Sequence, residues 1–198
     1  MKRLALVLGL LITTTIVASA QGQPKLAIKA GVNIADLKIE NTNNDVTDNR
    51  IGFHGGLAAH IHLGQQWAFQ PELLYSQEGA KIGDATVKLD YVNLPLMIQY
   101  MFNNGFRVEA GPQFGLLVNS KYSASSGTDI NADKDFKTPN VGLGFGLNYL
   151  SYSGLGAGAR YNLGLSNIGE TGNAEVKTRN LQVSLFYMFD NRHKAKSR

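Results

Sequence analysis

From residue 25 onward, apolar and polar side chains alternate in eight separate segments of the chain. A period of two places successive side chains on opposite faces, so each segment predicts a β-strand with one apolar face. The apolar positions of the first four segments are Leu26, Ile28, Ala30, Val32 and Ile34; Ile51, Phe53, Leu57, Ala59, Ile61 and Leu63; Trp67, Phe69, Leu73 and Tyr75; Val92, Leu94, Leu96, Ile98, Tyr100 and Phe102. Those of the last four are Phe106, Val108, Ala110, Phe114, Leu116 and Val118; Val141, Leu143, Phe145, Leu147 and Tyr149; Leu155, Ala157, Ala159, Tyr161 and Leu163; Leu181, Val183, Leu185, Tyr187 and Phe189.

The connections between these segments provide a second pattern. Three connections are short and contain Gly or Asn, at 64–66, 103–105 and 151–154. Four are longer and polar, near 37–50, 78–87, 120–135 and 166–178. Alternation of short and long connections is typical of outer-membrane barrels, which have short periplasmic turns and long outside loops. Together with the even strand number, it predicts an all-β fold: an eight-stranded antiparallel up-and-down transmembrane β-barrel.

Aromatic residues mark one end of this predicted barrel. Seven of them lie beside the short connections or at the end of the last strand: Trp67, Tyr100, Phe102, Phe106, Tyr149, Tyr187 and Phe189. Such a cluster is expected of the aromatic girdle at a membrane interface. A general preference of aromatic residues for strands is the alternative explanation, but it does not account for their position at one rim.

The less apolar face of the strands is rich in Gly, Asn and Gln and too poor in Lys and Glu to form a solvated exterior. We therefore expect it to line the barrel interior, which in an eight-stranded barrel is only wide enough to be filled by side chains. Lys29, Arg107 and Arg160 lie on this face, with Glu72 and Glu109 as counter-charges. The sequence predicts a polar network that plugs the lumen, and no pore.

The N-terminus has the pattern of a cleavable secretion signal. Lys2 and Arg3 precede an apolar stretch, and small residues lead up to Ala20 and Gln21, between which we expect cleavage. The predicted organisation is a signal peptide at 1–20, the barrel at 21–189 and a basic C-terminal tail at 190–198. A transmembrane anchor is the alternative, but the apolar stretch is short for a bilayer of about 30 Å.

Composition excludes several functions. The 198 residues contain no Cys, which rules out disulfides and thiolate chemistry. The formal charge of +4 falls to about +2 without the signal, too little to argue for nucleic-acid binding. Mean hydropathy is −0.13, and no long apolar run follows residue 20, as expected of a barrel in which lipid-facing and lumen-facing residues alternate.

Candidate chemistry is sparse. His60 and His62 lie at i and i+2 on one face and are weak candidates for a metal site, because imidazole binds Zn and Cu but no third ligand is evident. Ser76, Ser166 and Ser184 are possible nucleophiles, and the histidines are possible bases. No nucleophile-elbow pattern occurs. We predict no catalytic residues and no cofactor.

Four blocks resemble the PorT-like outer-membrane β-barrel proteins of Bacteroidetes-type bacteria: QPELLYSQEG at 70–79, YVNLPL at 91–96, EAGPQ at 109–113 and ARYNLGL at 159–165. The resemblance covers essentially the whole mature chain and implies an integral outer-membrane barrel without an assigned reaction. The founding member is associated with secretion, a role that does not transfer on fold alone. The chain departs from outer-membrane barrels in general by continuing past Phe189 into a tail.

The leading hypothesis is a small outer-membrane barrel with a structural or surface-interaction role. The alternatives are an outer-membrane lipid-processing barrel enzyme and a periplasmic lipocalin-like ligand-binding barrel. The expected partners are outer-membrane lipid and lipopolysaccharide, periplasmic chaperones and the barrel-assembly machinery during biogenesis, and an unknown extracellular ligand at the loops.

Overall fold

The structure is a computed structural model that describes residues 24–39, 47–83, 85–124, 129–131, 139–169 and 175–189. The predicted signal peptide, its cleavage site between Ala20 and Gln21, and the predicted tail lie outside these residues. Within them there is no helix long and apolar enough to cross a membrane.

The described residues form nine strands. Their bounds are β1 Lys25–Ile39, β2 Asp48–His62, β3 Trp67–Ile82, β4 Ala85–Met101, β5 Phe106–Ala124, β6 Asp129–Asn131, β7 Asn140–Leu150, β8 Leu155–Gly164 and β9 Val176–Met188. Eight long strands pair antiparallel with their neighbours in chain order, and β1 pairs with β9 to close the ring. The short β6 pairs only with the outer end of β5. The predicted eight-stranded barrel is confirmed. Closure pairs both edges of each of the eight long strands, which a lipid environment requires.

The predicted faces are confirmed along most of the barrel. The large apolar side chains of the alternating segments point outward, among them Leu57, Leu147 and Leu185, each about 60% exposed. Ile61 is an exception, since it is buried where β2 approaches its turn. The predicted aromatic rim also forms: the ring centroids of Trp67 and Tyr100 lie 5.1 Å apart, and those of Tyr187 and Phe189 lie 5.3 Å apart.

One predicted long connection is wrong. The segment 78–87 does not form a loop, because β3 continues to Ile82 and β4 begins at Ala85. Gly83 makes the tight turn with a positive φ of 55°, which costs glycine little. The strands also extend into the other predicted loops, so the difference between long and short connections is smaller than the sequence indicated.

The strands are longer than is needed to cross a membrane. Outward apolar runs reach from Leu26 to Ile34, from Trp67 to Tyr75 and from Leu181 to Phe189. Each covers about nine residues, close to the roughly 9–11 residues that a tilted strand needs to span the bilayer. The three strands have 15, 16 and 13 residues, so their outer ends project beyond the lipid.

Past the apolar run, the polarity of the two faces is reversed. On β3, Leu73 and Tyr75 face outward while Glu72 faces the lumen. Further along the same strand Lys81 is exposed and Ala80 is fully buried. The outer face is apolar against lipid and polar against water. The interior is polar at the level of the lipid and apolar beyond it.

The interior is therefore layered. The inward residues of β1 give the order of the layers from the short-turn end: Ala27 lies in a small apolar ring, Lys29 in a charged layer, Asn33 in a polar layer that includes the Glu78 carboxylate, and Leu37 in an apolar cap. The apolar ring also contains Ala58, Leu150 and Met188.

Candidate functional site in the barrel lumen

The charged layer is a compact cluster of four side chains from four strands. Arg160 on β8 donates two hydrogen bonds to the Glu72 carboxylate on β3, at 2.8 and 2.7 Å, and its Nε donates to Glu109 Oε1 on β5 at 2.7 Å. Lys29 Nζ on β1 lies 3.3 Å from Glu72 Oε2. Two cations thus face two carboxylates across the middle of the barrel.

Two amides complete the hydrogen bonding of these carboxylates. Gln70 Nε2 donates to Glu72 Oε1, and Gln99 Nε2 donates to Glu109 Oε2, each at 2.7 Å. Gly146 leaves room for the cluster, because a Cβ built there would lie 2.7 Å from Glu109 Oε1. The Arg160 side chain is 2% exposed and both carboxylates are fully buried, so the cluster fills this level of the lumen.

Arg107, the fifth residue predicted for the network, lies beside the cluster on β5. Its side chain faces the lumen, is buried and is attracted electrostatically by Glu109, but no hydrogen bond joins it to the cluster within the described ranges. Both Glu109 oxygens are already bound by Arg160 and Gln99. The position of Arg107 on its strand predicts its face; the competition for Glu109 depends on the tertiary arrangement.

Above the charged layer, a serine and a histidine come together. His54 Nε2 lies 2.8 Å from Ser184 Oγ, and His54 Nδ1 lies 2.7 Å from Asn33 Oδ1. A nucleophile, a base and an orienting group are the parts of a hydrolytic site. All three residues are buried, with 3%, 4% and 0% exposure for Ser184, His54 and Asn33, and none of them lines a described cavity.

The other two predicted serines lie elsewhere. Ser76 Oγ donates to Glu78 Oε1 at 2.9 Å inside the lumen. Ser166 Oγ accepts a hydrogen bond from Val141 N at the outer end. Neither contacts a histidine in the hydrogen bonds of the described residues, so the histidine–serine pair of the lumen is His54 and Ser184.

The two candidate metal ligands lie near the short-turn end. The His60 and His62 rings pack edge to face, with centroids 4.7 Å apart. His60 Nδ1 lies 3.3 Å from Gln70 Oε1, which gives this ring a polar partner. Among the residues that the structure describes, no group of three His, Cys, Asp or Glu side chains has the arrangement of a metal site.

The mouth of the barrel at the short-turn end contains a cavity of about 410 Å³. It lies between the turns that follow β2, β4 and β7, and Arg107 forms its inner wall. Its described lining is His62, Gln65, Met101, Phe102, Asn103, Asn104, Gly105, Arg107, Tyr149, Leu150, Ser151 and Tyr152. The sequence suggested no such cavity, because its walls come from three turns that are far apart in the chain.

The apolar cap closes the other end. It consists of Leu37, Ala80, Val87, Leu89, Tyr91 and Ile168, each at most 2% exposed. Four of these residues lie within the segments that the sequence analysis placed in loops. The alternation of Val87, Leu89 and Tyr91 with Lys88 and Asp90 is the signal that could have identified this second core.

Comparison with known proteins places this geometry among outer-membrane proteins. The family described as "Outer membrane protein beta-barrel domain" matches residues 20–170. Neisserial surface protein A is similar in structure, with a TM-score of 0.58 at 14% identity over 82% of this chain and 96% of that one. The Ail protein of Yersinia pestis in complex with the heparin analogue sucrose octasulfate gives 0.51 at 15% identity, over 85% and 100%. No curated protein sequence matches the chain.

Proposed function

Because this chain belongs to the outer membrane protein β-barrel domain family, we propose that it is a non-catalytic surface barrel whose outer connections bind a partner outside the cell. The chain is an integral outer-membrane protein. The observation that carries the proposal is the filled lumen. Two internal layers, one ionic and one apolar, occupy the space through which a porin would conduct or a lipocalin-like barrel would bind its ligand.

The filled lumen predicts that the purified barrel does not conduct ions as a porin does. The described internal cavities beside the charged cluster and the polar layer are each about 10 Å³, room for roughly one water molecule. Planar-bilayer recording of the folded monomer tests this directly. Stable open-channel currents would contradict the closed lumen and the proposal with it.

A lipid-processing enzyme is the main alternative, and Ser184 beside His54 is the arrangement that such an enzyme would use. A substrate cannot reach Ser184 without displacing the surrounding layers. We expect a fluorophosphonate probe to leave Ser184 unlabelled in the folded protein, with a serine hydrolase as the positive control. Labelling that disappears in Ser184→Ala would favour the enzyme instead.

The barrel exterior argues against the periplasmic lipocalin-like alternative. Its outward belt consists of large apolar side chains, which a soluble barrel would bury. We infer that this belt contacts outer-membrane lipid and lipopolysaccharide. Chaperones of the periplasm and the barrel-assembly machinery would meet the same apolar strands during biogenesis.

We place the protein among the PorT-like barrels as a finer proposal. The four resembling blocks lie on β3, β4, β5 and β8, and they contain three members of the charged cluster, Glu72, Glu109 and Arg160. A shared lumen network would explain why the resemblance concentrates there. An alignment of PorT-like chains should place carboxylates and an arginine at these three positions, and their absence would count against the assignment.

Surface binding requires the outer ends of the strands to face the medium. The absence of Cys permits a clean test, since a single introduced thiol is the sole target of a maleimide. Lys81→Cys lies at the outer end and Asn103→Cys in a short turn, and both positions are exposed. On intact cells a membrane-impermeant maleimide should label Lys81→Cys and leave Asn103→Cys unlabelled until the cells are lysed. The reverse pattern would overturn the orientation.

For the ligand of the outer connections we propose only its charge class. The polar segments 40–46, 125–138 and 170–174 connect strands whose described ends lie at this end of the barrel. The Yersinia pestis Ail structure contains a heparin analogue, an example of a barrel of this fold with a bound polyanion. In the present chain these segments carry more acidic than basic residues, which favours a neutral or cationic partner.

The signal peptide remains a proposal that follows from export to the outer membrane. Cleavage after Ala20 would leave Gln21 as the first residue of the mature chain. Mass spectrometry of the N-terminus of the membrane-inserted protein tests it, and retention of Met1 would count against it.

A further inference from the structure

We propose that the periplasmic mouth of the barrel is a binding site for carboxylate-bearing ligands, with the Arg107 guanidinium as the anion-recognition group and a peptide carboxyl terminus as its ligand. The cavity lies at the end opposite the surface-binding connections. The inference depends on the orientation of the barrel and is independent of what the outer connections bind.

Arg107 carries a buried positive charge at the inner wall of this cavity. The four members of the inner cluster balance one another, with Lys29 and Arg160 facing Glu72 and Glu109. Arg107 adds a further positive charge that is attracted by Glu109, but both Glu109 oxygens are bound by Arg160 and Gln99, and Arg107 itself is only 6% exposed. A buried guanidinium without a hydrogen-bonded anion is costly, so the site favours an anion.

The space in front of Arg107 has the size of a ligand site. A cavity of about 410 Å³ falls in the range of roughly 300–1,000 Å³ that small-molecule sites occupy. It opens between three turns at the periplasmic end, and no described carboxylate lines it. A ligand can therefore enter from the periplasm and reach the guanidinium without rearrangement of the charged cluster.

The remaining wall of the cavity combines polar and aromatic groups. Asn103, Asn104 and Ser151 supply amide and hydroxyl groups, while Phe102 and Tyr149 supply apolar surface. A guanidinium binds a carboxylate through two parallel hydrogen bonds. Amides and a hydroxyl suit the peptide groups behind a terminal carboxylate, and the aromatic rings suit its apolar side chains. This combination favours a peptide end over inorganic phosphate.

Binding should be measured by isothermal titration calorimetry on the full folded chain in detergent micelles. The probe is N-acetyl-Ala-Ala with a free carboxylate, compared with the same peptide as its C-terminal amide. We expect the free acid to bind at least tenfold more tightly than the amide. Equal affinity of the two peptides would overturn the proposal, and so would tight binding of inorganic phosphate with none of the free acid.

Two variants at the mouth and one distant control make the test specific. Arg107→Gln should lower the affinity for the free-acid peptide at least tenfold, whereas Lys81→Gln at the outer end should leave this affinity unchanged. Heat-modifiable gel migration verifies that each variant is folded. If Arg107→Gln does not fold, Asn103→Asp places a negative charge on an exposed turn of the same cavity. This charge should lower the affinity for the free-acid peptide. Unchanged affinity in the folded mouth variant would overturn the assignment.

Discussion

At the middle of the barrel the lumen is closed by Glu72, Arg160 and Glu109, whereas toward the outer end the same lumen is closed by apolar residues such as Leu89 and Tyr91. Both regions are fully buried and both are built on the same strands. They differ in what surrounds the barrel at each level. Where lipid covers the outside, the apolar residues are used on the outer face and the interior is polar.

Above the lipid, water covers the outside and the strands follow the rule of soluble proteins. Lys81 is exposed there and Ala80 is buried, on the same strand that carries Glu72 inside and Leu73 outside. One continuous strand therefore presents an apolar outer face to lipid and a polar outer face to water. From the outward side chains we place the outer boundary of the membrane beyond Ile34 on β1 and between Tyr75 and Lys81 on β3.

The largest effect is expected from the charged layer. Arg160→Ala removes the cation shared by Glu72 and Glu109 and leaves two buried carboxylates with Lys29 as their remaining cation. Loss of one member of a buried ionic group costs about 3–5 kcal/mol. Urea unfolding in detergent, followed by gel mobility, measures the change. Arg179→Ala at the outer end is the matched control and should change stability by less than about 0.5 kcal/mol; a small effect at Arg160 would mean that water replaces the cluster.

The apolar cap should respond to loss of volume instead of loss of charge. Leu89→Ala removes a fully buried side chain from a packed core and should destabilise the barrel by about 3 kcal/mol. Leu73→Ala, on the lipid-exposed face of β3, is the control and should cost less because lipid fills the space. Equal costs for the two variants would show that the cap is not a packed core.

The change of polarity along one strand can be tested on β4. Leu96→Arg and Thr86→Arg lie on the same outward face, one within the apolar belt and the other at the outer end. Arg on the lipid face near the bilayer midplane costs about 2–4 kcal/mol, falling toward zero near the interface. Insertion into lipid vesicles should therefore fail or slow for Leu96→Arg and proceed normally for Thr86→Arg. If both variants insert equally, the edge of the lipid does not lie between Thr86 and Leu96 on β4.

The smallest effect is expected from the peripheral member of the cluster. Lys29 contacts Glu72 at 3.3 Å, while Arg160 and Gln70 hold the same carboxylate at 2.7 Å. Lys29→Met keeps the volume and should cost about 1.5 kcal/mol, the lower range for a hydrogen bond to a charged group. Unfolding under the same conditions as Arg160→Ala gives the comparison. A cost equal to that of Arg160→Ala would indicate that the two cations contribute alike.

The sequence by itself determined the fold class, the eight strands and the outward face of each within the lipid. It did so because side-chain alternation is a local property and a lipid exterior makes the contrast between the faces strong. It also predicted which face carries Lys29, Glu72, Glu109 and Arg160. Closure of a narrow barrel then brings these four side chains into contact.

Only the tertiary structure decided the rest. The cap was missed because, above the lipid, polar residues face outward and apolar residues inward, so segment 78–87 reads as a polar connection. Register shifts between β2 and β3 and between β4 and β5 further obscure the alternation at this end. The contact of Ser184 with His54 and the pairing of Glu109 with Arg160 depend on which strands lie across the lumen. No spacing along one chain encodes these distances, since they arise when eight strands close into a ring.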